Sequence, residues 1–247
     1  HSVKPRLNKA AYRLLNFFVE YYVGISQICT HALASQTNRA VSLILNGVDE
    51  RKLIQRRRAR LTDNKIKAVS IGRVTEQKDY YFLVESVKLL PKTIRDKLCV
   101  LIAGEGEKFY TDNLKGYIAR QGLKNNFKFL GNRSDIPKIL DNADLFLMSS
   151  AWEGLPIALI EATASCLPCV VTDVGGCREV IDLCGNGLVV PYGKPELYAS
   201  ALLEVICQPD SYYRFASNAF DNRGVLSISN SAKSHFDLYS QAIKQRS

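Results

Sequence analysis

The sequence predicts an α/β fold in which a doubly wound parallel sheet is covered by helices on both faces. Short apolar segments recur from residue 66 onward, and each is followed by a segment of helical length and pattern. The apolar segments lack the polar alternation of a half-exposed strand, which indicates burial on both faces. Strands that alternate with helices form parallel sheets, because a parallel neighbour needs a long crossover connection.

The elements follow in a regular order along the chain. Strands are predicted at 67–72, 98–104, 127–131, 144–150, 168–173 and 187–190. Helices are predicted at 79–90, 107–122, 134–143 and 177–183, with a further helix running through Glu161. Such sheets bind ligands at the carboxyl ends of their strands, so we expect the loops there to carry the chemistry.

The two ends of the chain differ from this central part. Residues 10–20 and 27–36 have helical patterns, and 21–26 and 41–46 have strand patterns. This stretch is too short to enclose a core of its own. We therefore predict an incomplete domain at 1–45, a linker at 46–66, the sheet domain at 67–228 and a final amphipathic helix within 229–247.

Composition limits the class of protein. None of the 247 residues lie in an apolar run long enough for a membrane span, and no secretory leader is evident. The seven cysteines are irregularly spaced, which favours reduced thiols and a cytoplasmic location over a disulfide framework. Cys166 and Cys169 have the spacing of a redox pair, but they lie in an apolar run that favours buried thiols.

Positive charge is concentrated at one end. Residues 1–60 contain eleven Lys or Arg and three Asp or Glu, so they carry a net charge of +8 out of the total of +9. Two explanations stay open: a solvated basic linker, or peripheral contact with an anionic membrane surface at its cytoplasmic face. No nucleic-acid partner is expected.

The segment at 149–168 contains two carboxylates on either side of a helix start. Glu153 precedes Gly154, Leu155 and Pro156, and Glu161 lies within the helix that they begin. Pro is favoured in a first helical turn, where its missing N–H costs nothing, and the free N–H groups there attract anions. Carboxylates accept hydrogen bonds from sugar or ribose hydroxyls. The alternative is that Glu153 caps the helix and Glu161 is a solvated residue.

Basic and glycine-rich loops follow the other strands. Arg73 and Lys78 come after the strand that ends near Gly72, and together they suit a phosphate. The segment AGEGE, with Gly104, lacks the third glycine of a dinucleotide fingerprint, so we predict a tight turn. The paired glycines in DVGGCREVI also separate a strand from a helix. Each motif taken alone is also compatible with ordinary turn chemistry.

In order, the motifs NGVD, GRV…K, AGEGE, FLG, SSAWEGLPIALIEA and DVGGCREVI resemble the C-terminal domain of the GT-B glycosyltransferases of retaining family four. The resemblance covers roughly residues 40–190. It implies two Rossmann-like domains facing a cleft. The first, N-terminal domain would bind the acceptor, and residues 1–45 would be only the end of it, so most of the acceptor site is expected outside this sequence. It also implies that a C-terminal helix crosses back to the first domain. Two positions depart from the family: Asp79 and Cys166 stand where glycine is usual.

The resemblance also implies roles for individual residues. Arg73 and Lys78 would contact the donor diphosphate, Glu153 would face the donor sugar, and Glu161 would bind the ribose hydroxyls. The remaining donor-binding candidates are Gly72, Gly104, Gly131, Arg133, Ser150, Gly154, Leu155 and Pro156. With two cations available at the diphosphate, neither a metal ion nor another cofactor is expected.

The expected function is therefore that of the donor-binding half of a retaining hexosyltransferase in polysaccharide biosynthesis. The expected donor is a nucleotide-diphosphate sugar, UDP being favoured over GDP, and the acceptor a glycan or a lipid-linked glycan. One alternative is a nucleotide-sugar-binding subunit or fragment that needs a partner chain. A third is a 2-epimerase or phosphorylase of the same fold.

Overall fold

The computed structural model describes residues 9–53, 61 and 65–244. A six-stranded parallel sheet is covered by helices on both faces, and a two-stranded parallel sheet precedes it. The predicted α/β class is confirmed. The arginines at 56–58, in the basic segment, lie outside the described residues.

All six predicted strands of the main sheet form, each within one or two residues of its predicted bounds. The sheet order is β5-β4-β3-β6-β7-β8, and every pairing in it is parallel. The bounds of all eight described strands are β1 Tyr21–Gly24, β2 Ala40–Leu43, β3 Ile66–Ile71, β4 Leu98–Ala103, β5 Phe127–Gly131, β6 Leu145–Met148, β7 Cys169–Thr172 and β8 Gly187–Val190.

Burial on both faces explains why the strands lack polar alternation. In β6, Leu145 and Leu147 belong to one hydrophobic cluster and Phe146 and Met148 to the other. Successive strand residues point to opposite faces, so a sheet covered on both sides needs apolar residues at every position. All four of these side chains are at most 2% exposed.

Two layers of helices cover the sheet. Helices α3, α5, α9 and α10 supply side chains to the first cluster, and α6, α7 and α8 supply them to the second. The bounds of all described α-helices are α1 Lys9–Leu15, α2 Gln27–Ala34, α3 Tyr80–Lys88, α4 Lys92–Arg95, α5 Lys108–Arg120, α6 Ile136–Asp141, α7 Ile157–Ala164, α8 Cys177–Cys184, α9 Pro195–Cys207, α10 Pro209–Asn222 and α11 Ile228–Lys244.

Helices α4, α9 and α10 were not predicted. Pro195 and Pro209 stand at the first positions of α9 and α10, which is a recognised start signal. Within α9, Tyr198 and Leu202 are fully buried, and the Tyr198 hydroxyl donates to the Val170 carbonyl at 2.7 Å. The final helix begins at Ile228, one residue before the predicted range of 229–247. Among the described helices, none is long and apolar enough to cross a membrane.

The N-terminal elements contact the main domain near the carboxyl ends of its strands. The amide of Gln27, at the start of α2, donates to Glu179 Oε2 at 2.9 Å. Val48 forms a bridge with Ser227, just before α11. This segment therefore lies beside the loops that follow β6 and β7, and the start of α11 lies beside residue 48.

The two departures from the family pattern share a backbone conformation. Among the described residues, Asp79 (φ 38°) and Cys166 (φ 61°) are the non-glycine residues with positive φ. Cys166 follows the C-terminus of α7, where its amide donates to Thr163 and that of Leu167 donates to Ala162. This is the Schellman arrangement, whose left-handed position is usually glycine. The glycine that is usual at both positions in the family would adopt this left-handed backbone without strain.

Asp79 offsets its unfavourable backbone with side-chain hydrogen bonds. Its carboxylate caps α3 by accepting from the Phe82 amide at 3.1 Å, and it accepts from the Tyr192 hydroxyl at 2.5 Å. Burial, together with that contact, raises the pKa of Tyr192 to about 12. The aspartate thus joins the loop after β3 to the loop after β8.

Two substitutions of Asp79 should therefore distinguish the energetic cost of its left-handed backbone from the contribution of its side-chain contacts. We expect Asp79→Ala to lower the free energy of unfolding by about 1.5–3 kcal/mol, since it removes a cap and a charged acceptor but keeps the left-handed backbone. Asp79→Gly should cost about 1 kcal/mol or less, because glycine relieves the strain and is a tolerable N-cap. Urea unfolding of both variants measures the difference. Equal losses would show that strain at this position is negligible.

Candidate functional site

A lysine–glutamate pair lies at the carboxyl ends of β3 and β6. Lys78 Nζ is 2.6 Å from Glu153 Oε1, and the side chains are 15% and 8% exposed. Lys78 follows β3 and Glu153 follows β6, which are neighbours in the sheet. The parallel topology therefore brings together two charges that are 75 positions apart in sequence.

Neighbouring polar groups hold this pair in place. The Ser150 hydroxyl donates to Glu153 Oε1 at 2.7 Å, and Gln77 Nε2 lies 3.4 Å from Glu153 Oε2. Gln77 also donates to the Trp152 carbonyl at 3.1 Å and accepts from the Ala151 amide at 2.8 Å. Ser150 was predicted to bind the donor, whereas its hydroxyl contacts Glu153. Gln77 was not predicted as a site residue. The sequence feature that could have indicated this role is its position immediately before Lys78.

Glycines let the lysine lie close to the strand ends. Gly72 has φ 151°, and a Cβ there would be 2.4 Å from Lys78 Cε. Gly104 has φ 148°, and a Cβ there would be 2.0 Å from the Gly72 carbonyl oxygen. A side chain at either position would collide, so the lysine stem and the end of β4 both need glycine. The close backbone approach at Gly104 is compatible with the tight turn predicted for AGEGE.

A crevice of about 430 Å³ opens beside these glycines. It is bordered by residues from the ends of β3, β4 and β5, which are Ile71, Gly72, Arg73, Ala103, Gly104, Glu105, Asn132, Arg133 and Ile136. The Arg73 side chain is exposed and makes no hydrogen bond or ion pair with another described residue. Its guanidinium is therefore available to a ligand. The volume lies within the usual range of small-molecule sites, about 300–1,000 Å³.

Residues after β5 shape the far side of the crevice. Gly131 has φ 68°, and the next amide, of Asn132, donates to Glu105 Oε1 at 3.2 Å. Arg133 forms a bidentate salt bridge with Asp135: Nε donates to Oδ1 at 2.8 Å and Nη2 donates to Oδ2 at 2.7 Å. This pairing raises the pKa of Arg133 and lowers that of Asp135. The Arg133 side chain is thus partly neutralised, although its position at the crevice matches the prediction.

The start of α7 lies against the loop after β7. Pro156 is the N-cap residue, so the helix begins one position later than predicted. Leu155 is buried, and the Gly154 carbonyl accepts from the Gly176 amide at 2.6 Å. Gly175 has φ 55°, and a Cβ there would be 2.2 Å from the Glu153 carbonyl oxygen. The paired glycines therefore position the Glu153–Gly154 backbone, a role that the sequence pattern did not reveal.

Glu161 lies within α7 and is half-buried. Its carboxylate has no hydrogen bond or ion pair among the described residues, and burial raises its pKa. It is not among the described residues that border the crevice. A half-buried carboxylate without a protein partner is suited to accepting hydrogen bonds from a ligand.

The thiol of Cys177, near the pair, is neutral. Burial, together with the charge of Glu153, raises the pKa of Cys177 to about 12, so this thiol is protonated at neutral pH. Neither Cys166 nor Cys169 forms a disulfide, and both are fully buried, as expected for structural thiols. In the described part of the chain, no three His, Cys, Asp or Glu side chains are grouped so as to hold a metal ion.

The structure thus brings most of the predicted residues to one end of the sheet. Arg73, Lys78 and Glu153 lie on adjacent loops with Ser150 and Gly154, while Gly104 and Arg133 border the crevice beside them. The arrangement offers one available guanidinium and one ion-paired ammonium beside a glycine-lined crevice. Such a site can bind a diphosphate and stabilise negative charge that develops on it.

Comparisons with known proteins agree with this geometry. The family model described as "Glycosyl transferases group 1" matches residues 51–222. The Escherichia coli enzyme UDP-Gal:alpha-D-GlcNAc-diphosphoundecaprenol alpha-1,3-galactosyltransferase is 30% identical over 175 residues, covering 67% of this chain and 45% of its own. The Rhizobium meliloti lipopolysaccharide core biosynthesis mannosyltransferase LpsB is 30% identical over 151 residues, covering 57% and 42%.

A solved structure supports the fold over almost the whole chain. Anabaena HepE in complex with UDP superposes with a TM-score of 0.84 at 22% identity, covering 97% of this chain and 70% of HepE. Against the two curated relatives above, the chain spans less than half of their length. Because the family model matches well over half of the chain and the fold is that of GT-B enzymes, this protein belongs to the group 1 glycosyltransferases.

Proposed function

We propose that this chain is the donor-binding half of a retaining hexosyltransferase that uses a UDP-sugar. The observation that carries the proposal is the buried Lys78–Glu153 pair beside the available guanidinium of Arg73. A nucleotide bound in the crevice would place its diphosphate against these cations at the strand ends. Arg73 and Lys78 would then stabilise the charge of the leaving diphosphate without a metal ion.

The other residues have roles that fit their surroundings. Glu153 faces the donor sugar and keeps Lys78 in place. The role of Glu161, which does not border the crevice, is proposed from the family resemblance: it accepts hydrogen bonds from the ribose hydroxyls. The crevice edge at Arg133, which follows Gly131 closely in the chain, borders the base. UDP is favoured over GDP because the solved neighbour HepE contains UDP and the Escherichia coli relative is named for UDP-Gal. Retention of configuration is proposed from the resemblance to the retaining family.

The acceptor is proposed to be a glycan or a lipid-linked glycan. The Escherichia coli relative acts, by its name, on a sugar diphosphoundecaprenol, and LpsB is named for lipopolysaccharide core biosynthesis. A cytoplasmic location with peripheral contact to an anionic membrane surface is part of the same proposal. The arginines at 56–58 that would support this contact lie outside the described residues.

A second candidate is a nucleotide-sugar-binding chain that needs a partner for transfer. Leu14, Phe17 and Phe18 in the N-terminal segment are 64%, 81% and 82% exposed. Clustered exposed apolar side chains indicate a surface that another part of the enzyme covers. On either candidate, the described chain binds the donor. Transfer over epimerisation or phosphorolysis is favoured because the matched family consists of glycosyl transferases.

Arg73→Ala should weaken UDP binding and leave uridine binding unchanged. Loss of a charge-assisted hydrogen bond costs about 1.5–3 kcal/mol, which raises the dissociation constant of UDP roughly 10- to 150-fold. Titration calorimetry with UDP, UDP-glucose and uridine measures this. Arg214→Ala is the matched control, because Arg214 is an exposed arginine on α10, away from the crevice. Equal loss for UDP and uridine, or none for either, would remove Arg73 from the diphosphate site.

A further inference from the structure

A second cavity lies beside the loop at residues 73–77. Its volume is about 400 Å³. It is bordered by this loop, by the start of α5 and by the loop after β6, with the residues Arg73, Val74, Thr75, Glu76, Gln77, Glu107, Tyr110 and Trp152. Of these, only Arg73 also borders the crevice proposed for the nucleotide. The cavity is therefore separate from that crevice but next to its diphosphate end.

Trp152 is the aromatic surface of this cavity. It is the single tryptophan of the protein, and it is 44% exposed. Its carbonyl oxygen accepts from Gln77 Nε2 at 3.1 Å, so its backbone is tied to the loop at the cavity edge. The next residue is Glu153, whose carboxylate is held by Lys78 and Ser150. An exposed indole on a fixed backbone, immediately before the site, offers a flat apolar face to a ligand.

Polar groups surround the indole. Glu76 and Glu107 are exposed and make no ion pair with another described residue. Tyr110 packs edge to face against Tyr81, with 5.8 Å between ring centroids, so its ring is held in position. The cavity therefore combines one aromatic face with two carboxylates that can accept hydrogen bonds.

This combination selects a chemical class of ligand. Two carboxylates against one guanidinium disfavour a phosphate or another anion. The polar border disfavours a purely apolar ligand, because the carboxylates of the cavity would lose bound water without gaining hydrogen-bond partners. A neutral saccharide fits both features: the C–H face of a sugar ring packs on the indole, and its hydroxyls donate to the carboxylates.

We propose that this cavity binds a neutral oligosaccharide, as a subsite for the acceptor glycan next to Glu153. Binding of the saccharide depends only on the cavity, whereas its identity as the acceptor rests on the proposed function. The site would hold sugar units of the acceptor beyond the one that receives the transferred sugar.

Intrinsic fluorescence tests the proposal directly, because Trp152 is the only tryptophan. The protein without nucleotide is titrated with maltotriose, lactose, cellobiose and N,N′-diacetylchitobiose. We expect a saturable change in emission with at least one of them, in the millimolar range. Glu107→Gln should weaken that binding about tenfold, the effect of losing a charged acceptor. No saturable change with any of the four would overturn the proposal.

Saturation-transfer NMR checks the role of the indole in variants that lack it. The saturation-transfer signals of the saccharide should disappear in Trp152→Ala and persist in Phe109→Ala. Phe109 is the matched control because it is 73% exposed on α5 and does not border the cavity. Persistence of the signals in Trp152→Ala would overturn the proposal. UDP calorimetry on the same samples keeps the two proposals apart. UDP binding without saccharide binding refutes the subsite alone. Saccharide binding without UDP binding refutes the donor site, and with it the identity of the saccharide as the acceptor, but leaves the saccharide site itself.

Discussion

Replacing Lys78 with methionine should lower the free energy of unfolding by about 3–5 kcal/mol, the usual cost of leaving one partner of a buried ion pair unpaired. The side chain of Glu153 is only 8% exposed, so water cannot replace the lost ammonium. Ser150 and Gln77 still donate to the carboxylate, but they do not neutralise its charge. Urea or thermal unfolding at neutral pH measures the loss.

Two controls separate this effect from a general loss of charge. Lys92 and Asp96 form a pair with the same 2.6 Å separation, but their side chains are 78% and 57% exposed. Lys92→Met should therefore change stability by less than about 1 kcal/mol. The double variant Lys78→Met/Glu153→Met should recover much of the lost stability, because no unpaired charge is left. If Lys78→Met were no worse than Lys92→Met, the pair would not be a buried one in solution.

The Lys78→Met variant should also bind UDP more weakly, for a different reason. The ammonium is one of the two cations proposed to contact the diphosphate, and methionine cannot replace it. Binding is measured below the denaturation midpoint of the variant, with circular dichroism confirming that the sample is folded. Unchanged UDP affinity in a folded sample would make Lys78 purely structural.

Gly175→Ala should lower the free energy of unfolding by about 2–5 kcal/mol. A left-handed residue other than glycine costs about 1–2 kcal/mol, and an overpacked methyl group adds about 1–3 kcal/mol. The methyl would lie 2.2 Å from the Glu153 carbonyl oxygen and 2.7 Å from that of Gly154. Both neighbours are backbone atoms, so relief requires movement of the segment that carries Glu153.

Gly193→Ala isolates the conformational part of this cost. Gly193 also has positive φ, at 80°, but nothing lies within 4 Å of a Cβ built on it. We expect a loss of only about 1–2 kcal/mol and unchanged UDP affinity. Gly175→Ala should in addition reduce UDP affinity, because the backbone before α7 shifts. Similar unfolding free energies for the two variants would show that the loop after β7 adjusts without strain.

Local patterns were sufficient to predict most of the main sheet. The run at 145–148, for example, is apolar at every position, which is typical of a strand buried on both faces. The expected function came from the resemblance of the ordered motifs to a known family. Most of these motifs lie at or just after strand ends, where parallel sheets bind ligands. Helices α9 and α10 lie after the last strand, outside the alternation of strands and helices, and were not predicted. Each nevertheless begins with a proline, which is a start signal.

By itself, the sequence determined the α/β class, the strand positions and the residue types that suit a diphosphate. The tertiary structure alone decided which side chains meet, because β3 and β6 are neighbours only through the crossover topology of the sheet. It therefore decided that Lys78 pairs with Glu153, that Ser150 and Gln77 support this carboxylate, and that Gly175 presses on its backbone. These contacts depend on distances between loops far apart in the chain, and no local periodicity encodes such distances.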